Sequence, residues 1–327
     1  MLPDLLKDRL ALPIIAAPMF LASGPKLVVE CCKAGVAAGF PALNQRSSEG
    51  LDGWLTEITS ALSTHEAETG SAPAPFGVNL VVHPSNPRLR DDAALCIKHK
   101  VPIVMTILGA DPELVSAIHG YGGLVIHDVV NAKHAKKAAS AGVDGLIAVG
   151  TGAGGHGGPL SPFALLNEIR QVFDKTVILS GSLSTGADVA AAQMMGADLA
   201  YMGTRFLATQ ECQAPEAYKQ MLVDTTSLDI VYTPVISGVP ANFLAPSLQQ
   251  AGIDPKTAAT PQLDLGLELA GAKEDGEKKP WRDIWSAGQG VGSITDFPSA
   301  AALISRLKSE YIAANQAQKK TFDAWSA

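Results

Sequence analysis

Short, nearly unbroken apolar runs recur along the chain, each followed by a turn and a longer segment with helical spacing. The runs are PIIAAPMF (13–20), GVAAGFPAL (35–43), FGVNLVV (76–82), VPIVMTIL (101–108), GLVIHDVV (123–130), GLIAVG (145–150), TVILSGS (176–182) and DLAYMGTRF (198–206). A strand with one wet face alternates apolar and polar residues. These runs do not, so each reads as a strand covered on both faces, as in a parallel sheet flanked by helices. The spacing predicts helices at 111–119, with Asp111 as N-cap and Pro112 behind it, at 131–141 capped by Asn131, and at 184–195 capped by Ser184. Eight runs alternating with helices, in a chain of 327 residues, predict an α/β fold of the (β/α)8 TIM-barrel type.

The rhythm stops after the eighth run. Residues 210–285 read as a mostly helical insertion, a cap beside the barrel mouth. It starts with a helix near 213–224, continues through the Pro/Gly-broken TPVISGVPANFLAPS and ends with the polar GAKEDGEKKP. Residues 1–209 and 286–327 then form the barrel domain, closed by a last helix at about 298–315.

Composition narrows the function class. With 47% hydrophobic and 17% charged residues the chain has enough apolar material for one large core, which excludes a disordered or disulfide-scaffold protein. A net charge of −7 leaves no basic surplus to replace phosphate counterions, so no nucleic-acid partner is expected. Cys31, Cys32, Cys96 and Cys212 form no C-x-x-C pair and read as buried thiols; no cluster has metal-ligand spacing, so no metal is expected. The apolar stretch at 11–24 is broken by two prolines and preceded by Asp4 and Asp8, which suits a buried strand and neither a membrane span nor a leader. A cytoplasmic protein without a membrane partner is the expectation.

The chemistry centres on GTGAGGHGGP, residues 150–159. Gly150, Gly152 and Gly155 spell G-x-G-x-x-G, yet a dinucleotide fingerprint opens the first βαβ unit and is followed by an acid at the end of the next strand. Here five strand–helix units precede it, and the next strand ends in Ser180, Gly181 and Ser182. What remains is a glycine-rich loop after strand six, at the barrel end where sites are built. Its glycines, Gly154 and Gly155 among them, give a flat ligand room to approach the backbone, and His156 becomes the candidate general base. His127, ending strand five, is expected to face the mouth as a ligand contact; the other five histidines read as surface residues.

Strands seven and eight end in Gly181-Ser182 and Gly203-Thr204, where barrels of this type bind phosphate through backbone N–H groups and a helix N-terminus. Pro18, Met19 and Phe20 at the end of strand one offer an apolar shelf for a flat ring, and Asn79 in strand three offers an amide. A barrel acting as a lyase, isomerase or sensor of a phosphorylated metabolite would more naturally carry a strand-end Lys or a carboxylate pair. No run ends in Lys, and Asp128 is the only strand-end acid.

Taken together, APM (17–19), FGVNL (76–80), GAGGHGG (152–158), LSGS (179–182), GADLAYMGTRFLAT (196–209) and WSAGQG (285–290) resemble the nitronate monooxygenase family of FMN-dependent TIM-barrel enzymes, formerly the 2-nitropropane dioxygenases. The resemblance implies FMN as cofactor, its phosphate near Gly181, Ser182, Gly203 and Thr204, and its ring against Pro18, Met19 and the Gly154–Gly155 region, with Gln289 of WSAGQG nearby. It implies His156 as the base that takes the α-proton of a nitroalkane, with nitronates oxidised directly by the flavin and O2 to a carbonyl compound and nitrite. Ser182 stands where family members often have a second glycine. NADH:quinone reductases and an FMN-dependent enoyl-ACP reductase share the histidine loop and GTRF, so an NAD(P)H-dependent reductase is the alternative. NAD(P)H as a further partner and a homodimer stay open.

Overall fold

The computed structural model describes residues 2–262 and 282–326. Its centre is a closed barrel of eight parallel strands: β1 (Ile14–Ala16), β2 (Ala37–Pro41), β3 (Phe76–Val81), β4 (Ile103–Ile107), β5 (Leu124–Val129), β6 (Gly145–Val149), β8 (Thr176–Ser180) and β9 (Leu199–Met202). β9 returns to pair with β1, Ile15 opposite Tyr201. The TIM-barrel expectation therefore holds. Each strand lies within its apolar run.

Strand alternation sorts the apolar residues into two layers. Ile15, Ile103, Met105, Ile126, Ile147, Ile178, Leu199 and Tyr201 pack together inside the barrel. Val78, Val104, Val125, Leu146, Val177 and Ala200, one position out of step, join the surrounding helices in the larger outer core. Such filling makes the barrel a solid core with its working surface at one end.

The helices follow their caps. Asp111 accepts from Glu113 N at 2.9 Å and opens Pro112–His119, and Asn131 accepts from His134 N at 2.9 Å and opens Ala132–Ser140. After β8 the cap is Thr185, not Ser184: Thr185 and Asp188 cap each other at the start of Gly186–Met194. The Ser184 hydroxyl instead donates to Gly290 O at 2.8 Å. The last helix, Ala300–Trp325, runs ten residues further than expected and packs on Gly186–Met194, where Glu310 accepts from Gly186 N at 2.7 Å. Residues 210–285 lie partly outside the described residues; the described part holds helices Glu216–Asp224 and Ala245–Gln250. It also holds an antiparallel ribbon of β10 (Ile230–Thr233) and β11 (Ala241–Leu244). β11 pairs in turn with β7 (Gly155–His156), so the segment after the barrel holds the glycine-rich loop. Among the described residues no helix is long and apolar enough to cross a membrane.

Candidate active site

The C-terminal ends of the barrel strands open into a cavity of about 520 Å³. Its floor comes from inward-facing residues at the strand ends, two of them from β3: Ala17, Pro41, Asn79, Val81, Ile107, Asp128, Val149, Ser180 and Tyr201. Parity decides membership. Ile126 points into the barrel, so Asp128, two residues on, does too.

The same parity corrects His127. Its ring turns outward into the helical layer and bonds Thr106 Oγ1 at 2.7 Å, away from the cavity. Burial, with the nearby charges of His134 and Lys137, lowers its pKa to about 4. The structure brings together Pro18, Met19, Phe20, Asn79, Gly154, Gly155, His156, Gly181, Ser182, Gly203 and Thr204 around the cavity, but not His127. Gln289 lies between two lining residues, Gly288 and Gly290, without lining the cavity itself; its backbone N–H donates to Gly152 O at 2.9 Å.

The glycines of the loop serve the protein's own backbone first. Gly152 has φ +83°, and a Cβ there would collide with Ser182 Oγ. A Cβ on Gly154 would sit 2.9 Å from Gly288 N and 3.0 Å from Thr204 Oγ1. The loops after β6, β8 and β9 and the 287–290 segment thus interlock at backbone distance, tied by Ser182 N to Gly152 O (3.2 Å) and Gly288 N to Thr204 Oγ1 (2.9 Å). With its oxygen already accepting, the Thr204 hydroxyl keeps a proton to donate.

The expected phosphate site narrows accordingly. The N-terminus of the helix after β8 is taken: Ser184 N and Thr185 N both donate to Asp188 Oδ2 at 2.8 Å, and Gly186 N donates to Glu310. Carboxylates already complement that helix end. With Ser182 N committed to Gly152 O, the donors left for an anion are Gly181 N and the Ser182 hydroxyl, in a turn where both residues have positive φ (125° and 59°), and those of Gly203–Thr204. Arg205 adds no charge there, because its buried guanidinium is held by the Asp296 carboxylate and carbonyl at 2.9 and 3.0 Å.

His156 is half-buried on β7, held by the pairing with Ala241. Asn242 Nδ2 donates to Ala153 O at 2.7 Å, and Tyr232 OH donates to Gly157 O at 2.9 Å, pinning the loop on both sides of the imidazole. Ser237 Oγ donates to Val239 O at 3.2 Å and stands 3.2 Å from His156 Nε2. A hydroxyl spent on a carbonyl must accept from the ring, so this network assigns the proton to Nε2 and the lone pair to Nδ1. Burial lowers the pKa of the imidazole to about 4, so at neutral pH it is an unprotonated acceptor.

Asp128, Ser180, Tyr201, Ser237 and Asn242 were missed as site residues. Alternation along β5, β8 and β9 carries a signal for the first three. Nothing local marks the last two, whose partners lie more than eighty residues away along the chain. Among the described residues the other charged side chains lining the cavity are Arg46 and Arg282, the latter paired with Asp283 at 2.7 Å, and there is no metal-binding cluster of His, Cys, Asp or Glu.

The family model for nitronate monooxygenase matches residues 89–310. The chain is 32% identical over 232 residues to the (3aS,4S,5R,7aS)-5-hydroxy-7a-methyl-1-oxo-octahydro-1H-indene-4-carboxyl-CoA dehydrogenase of Rhodococcus jostii, covering 71% of this chain and 62% of that protein's length. It is 29% identical to a nitronate monooxygenase of Paraburkholderia phytofirmans, over 91% of this chain and 92% of the other. Among solved structures, FabK from Thermotoga maritima superposes with a TM-score of 0.80 at 25% identity, covering 97% of both chains. The nitroalkane oxidase of Streptomyces ansochromogenes gives 0.79 at 25% identity, over 96% of this chain and all of that one. The chain spans about three fifths of the length of the first curated relatives it matches. The histidine loop, the barrel-mouth cavity and the match across most of the chain converge: the protein belongs to the nitronate monooxygenase family.

Proposed function

We propose that the protein is an FMN-dependent monooxygenase that oxidises alkyl nitronates and nitroalkanes with O2 to a carbonyl compound and nitrite. The observation that carries the reading is a neutral, rigidly held imidazole, His156, beside a cavity whose other wall offers turn and hydroxyl donors at Gly181–Ser182 and Thr204. The donor set suits FMN. Pro18, Met19 and Phe20 give an apolar edge for a ring, Asn79 and Ser180 give polar contacts, and the two small-residue turns take the phosphate. When bound, the flavin supplies the electron transfer to O2.

The chain's own part is positioning and one proton. Ser237 holds the imidazole of His156, whose neutral ring accepts the α-proton of a neutral nitroalkane. Burial disfavours the imidazolium that results, so it persists only while the new anion stays beside it as an ion pair. A nitronate arrives already deprotonated and needs no base. His156→Asn is therefore expected to retain FMN, to lose kcat/KM on neutral nitroalkanes by about 10²-fold or more, and to lose far less on nitronates. Equal losses on both substrates, measured by oxygen uptake, contradict the base role.

A reductase is the second reading, in which NAD(P)H reduces the flavin and an enoyl thioester or quinone accepts the electrons. The likeness to a CoA-thioester dehydrogenase favours it, as does the exposed Arg46 lining the cavity, where an anionic carrier would sit; Arg282, which also lines it, is already paired with Asp283 at 2.7 Å. Anaerobic reduction by each donor class separates the two.

A further inference from the structure

Asp128 has no place in the mechanism above. It ends β5, lines the cavity, and keeps one carboxyl oxygen, Oδ1, sealed from solvent without a hydrogen-bond partner among the described residues. A buried carboxyl with nothing to hold costs free energy unless something else in the structure's working state satisfies it. The residue as a whole is only half-buried, and the side that is not sealed faces the cavity.

We propose that Asp128 is a ligand-contacting acid that binds the flavin ring in its protonated form, so that the protein takes up a proton when the cavity is filled. The proposal rests on the flavin reading of the site. The protonated carboxyl donates to a carbonyl oxygen or an unprotonated ring nitrogen, the acceptors a flavin presents.

The surroundings favour the neutral acid. Ile107 from β4 and Val149 from β6 flank it in the cavity wall, and Asn79 and Ser180 across the mouth carry no charge. Tyr201 on β9 is the titratable group inside the barrel. Burial, and Asp128 itself, push its ionisation up, so it stays a neutral phenol. His156 is neutral, and His127, His134 and Lys137 lie on the outer side of β5. No cation is paired with Asp128 among the described residues, and burial raises its pKa to about 7. A ligand that excludes water from the cavity raises it further.

The test is titration calorimetry of the flavin-free protein with FMN, in two buffers of different ionisation enthalpy at about pH 8. Uptake approaching one proton per FMN is expected for the wild type and close to none for Asp128→Asn. The wild-type Kd is expected to weaken up to about tenfold per pH unit above 7, while the Asn variant, which mimics the neutral acid, keeps a flat profile. FMN binding without proton uptake, or with the same uptake in both proteins, overturns the proposal and leaves the flavin reading standing. A protein that binds no FMN across about pH 6–9 overturns both. The wild-type calorimetry decides the matter even where the variant folds poorly.

Discussion

His156 and Asp128 line one cavity, and burial moves both toward neutrality from opposite sides. The imidazole, lowered to about 4, stays unprotonated over most of the working range, so the acid limb of activity on neutral substrates is expected near pH 4 at saturating FMN. A limb near 6.5, the ordinary value for histidine, contradicts the buried, Ser237-held geometry. For Asp128 the folded value near 7 lies above that of the unfolded chain, about 3.9. The stabilisation of its neutral form is thus complete below about pH 4 and is lost as pH rises through 7. In the flavin-free protein, Asp128→Asn is expected to raise stability by on the order of 2–4 kcal/mol at pH 8 and by little at pH 4; equal effects at both, read from denaturant midpoints, contradict the assignment. This acid was legible in the sequence. The alternation that points Ile126 inward also points Asp128 inward and His127 out, whereas proximity to the strand end had singled out the histidine.

At the scale of elements, the histidine loop is held by a strand pair that chain order does not suggest. β7 is only two residues long, and alone it could not fix an imidazole. Its pairing with β11 and the Asn242 bond to Ala153 O supply the rigidity. Asn242→Ala leaves a buried carbonyl unpaired. A loss of about 1–3 kcal/mol is expected, along with a fall in kcat larger than any change in FMN affinity. An unchanged melting temperature and kcat refute the role. The barrel strands and their capped helices could be read because the signals are local: doubly buried strands are continuously apolar, and Asp111 and Asn131 precede their helices directly. The ribbon could not, because Pro234 and Pro240 break TPVISGVPANFL into a stretch that resembles a loop, and its partner lies more than eighty residues back. Ser184 reads as a cap in the sequence because the distant Gly290 carbonyl that claims its hydroxyl leaves no local trace.

For the whole molecule, the closed barrel supplies a rigid floor and the chain after it supplies the wall that completes the site. Tyr218 from Glu216–Asp224 stacks on Trp285 at 4.9 Å, and both Tyr218 and the neighbouring Arg282 border the cavity. Substrate choice is therefore expected to reside in this wall, and redox chemistry in the floor and its loops. Replacing the exposed, cavity-lining Arg46 with Ala is expected to leave oxidation of small nitronates within about threefold of the wild type, since an exposed charge at a rim contributes little to a small ligand. It is expected to weaken any large anionic substrate by about tenfold or more, as read from KM. The most direct test of the central claim is anaerobic mixing of the FMN-loaded protein with ethyl nitronate, with NADH and with NADPH, following the flavin absorbance. The account predicts bleaching by the nitronate and none by the nicotinamides on the same timescale. Bleaching by NADH or NADPH but not by the nitronate contradicts it and makes the protein a reductase.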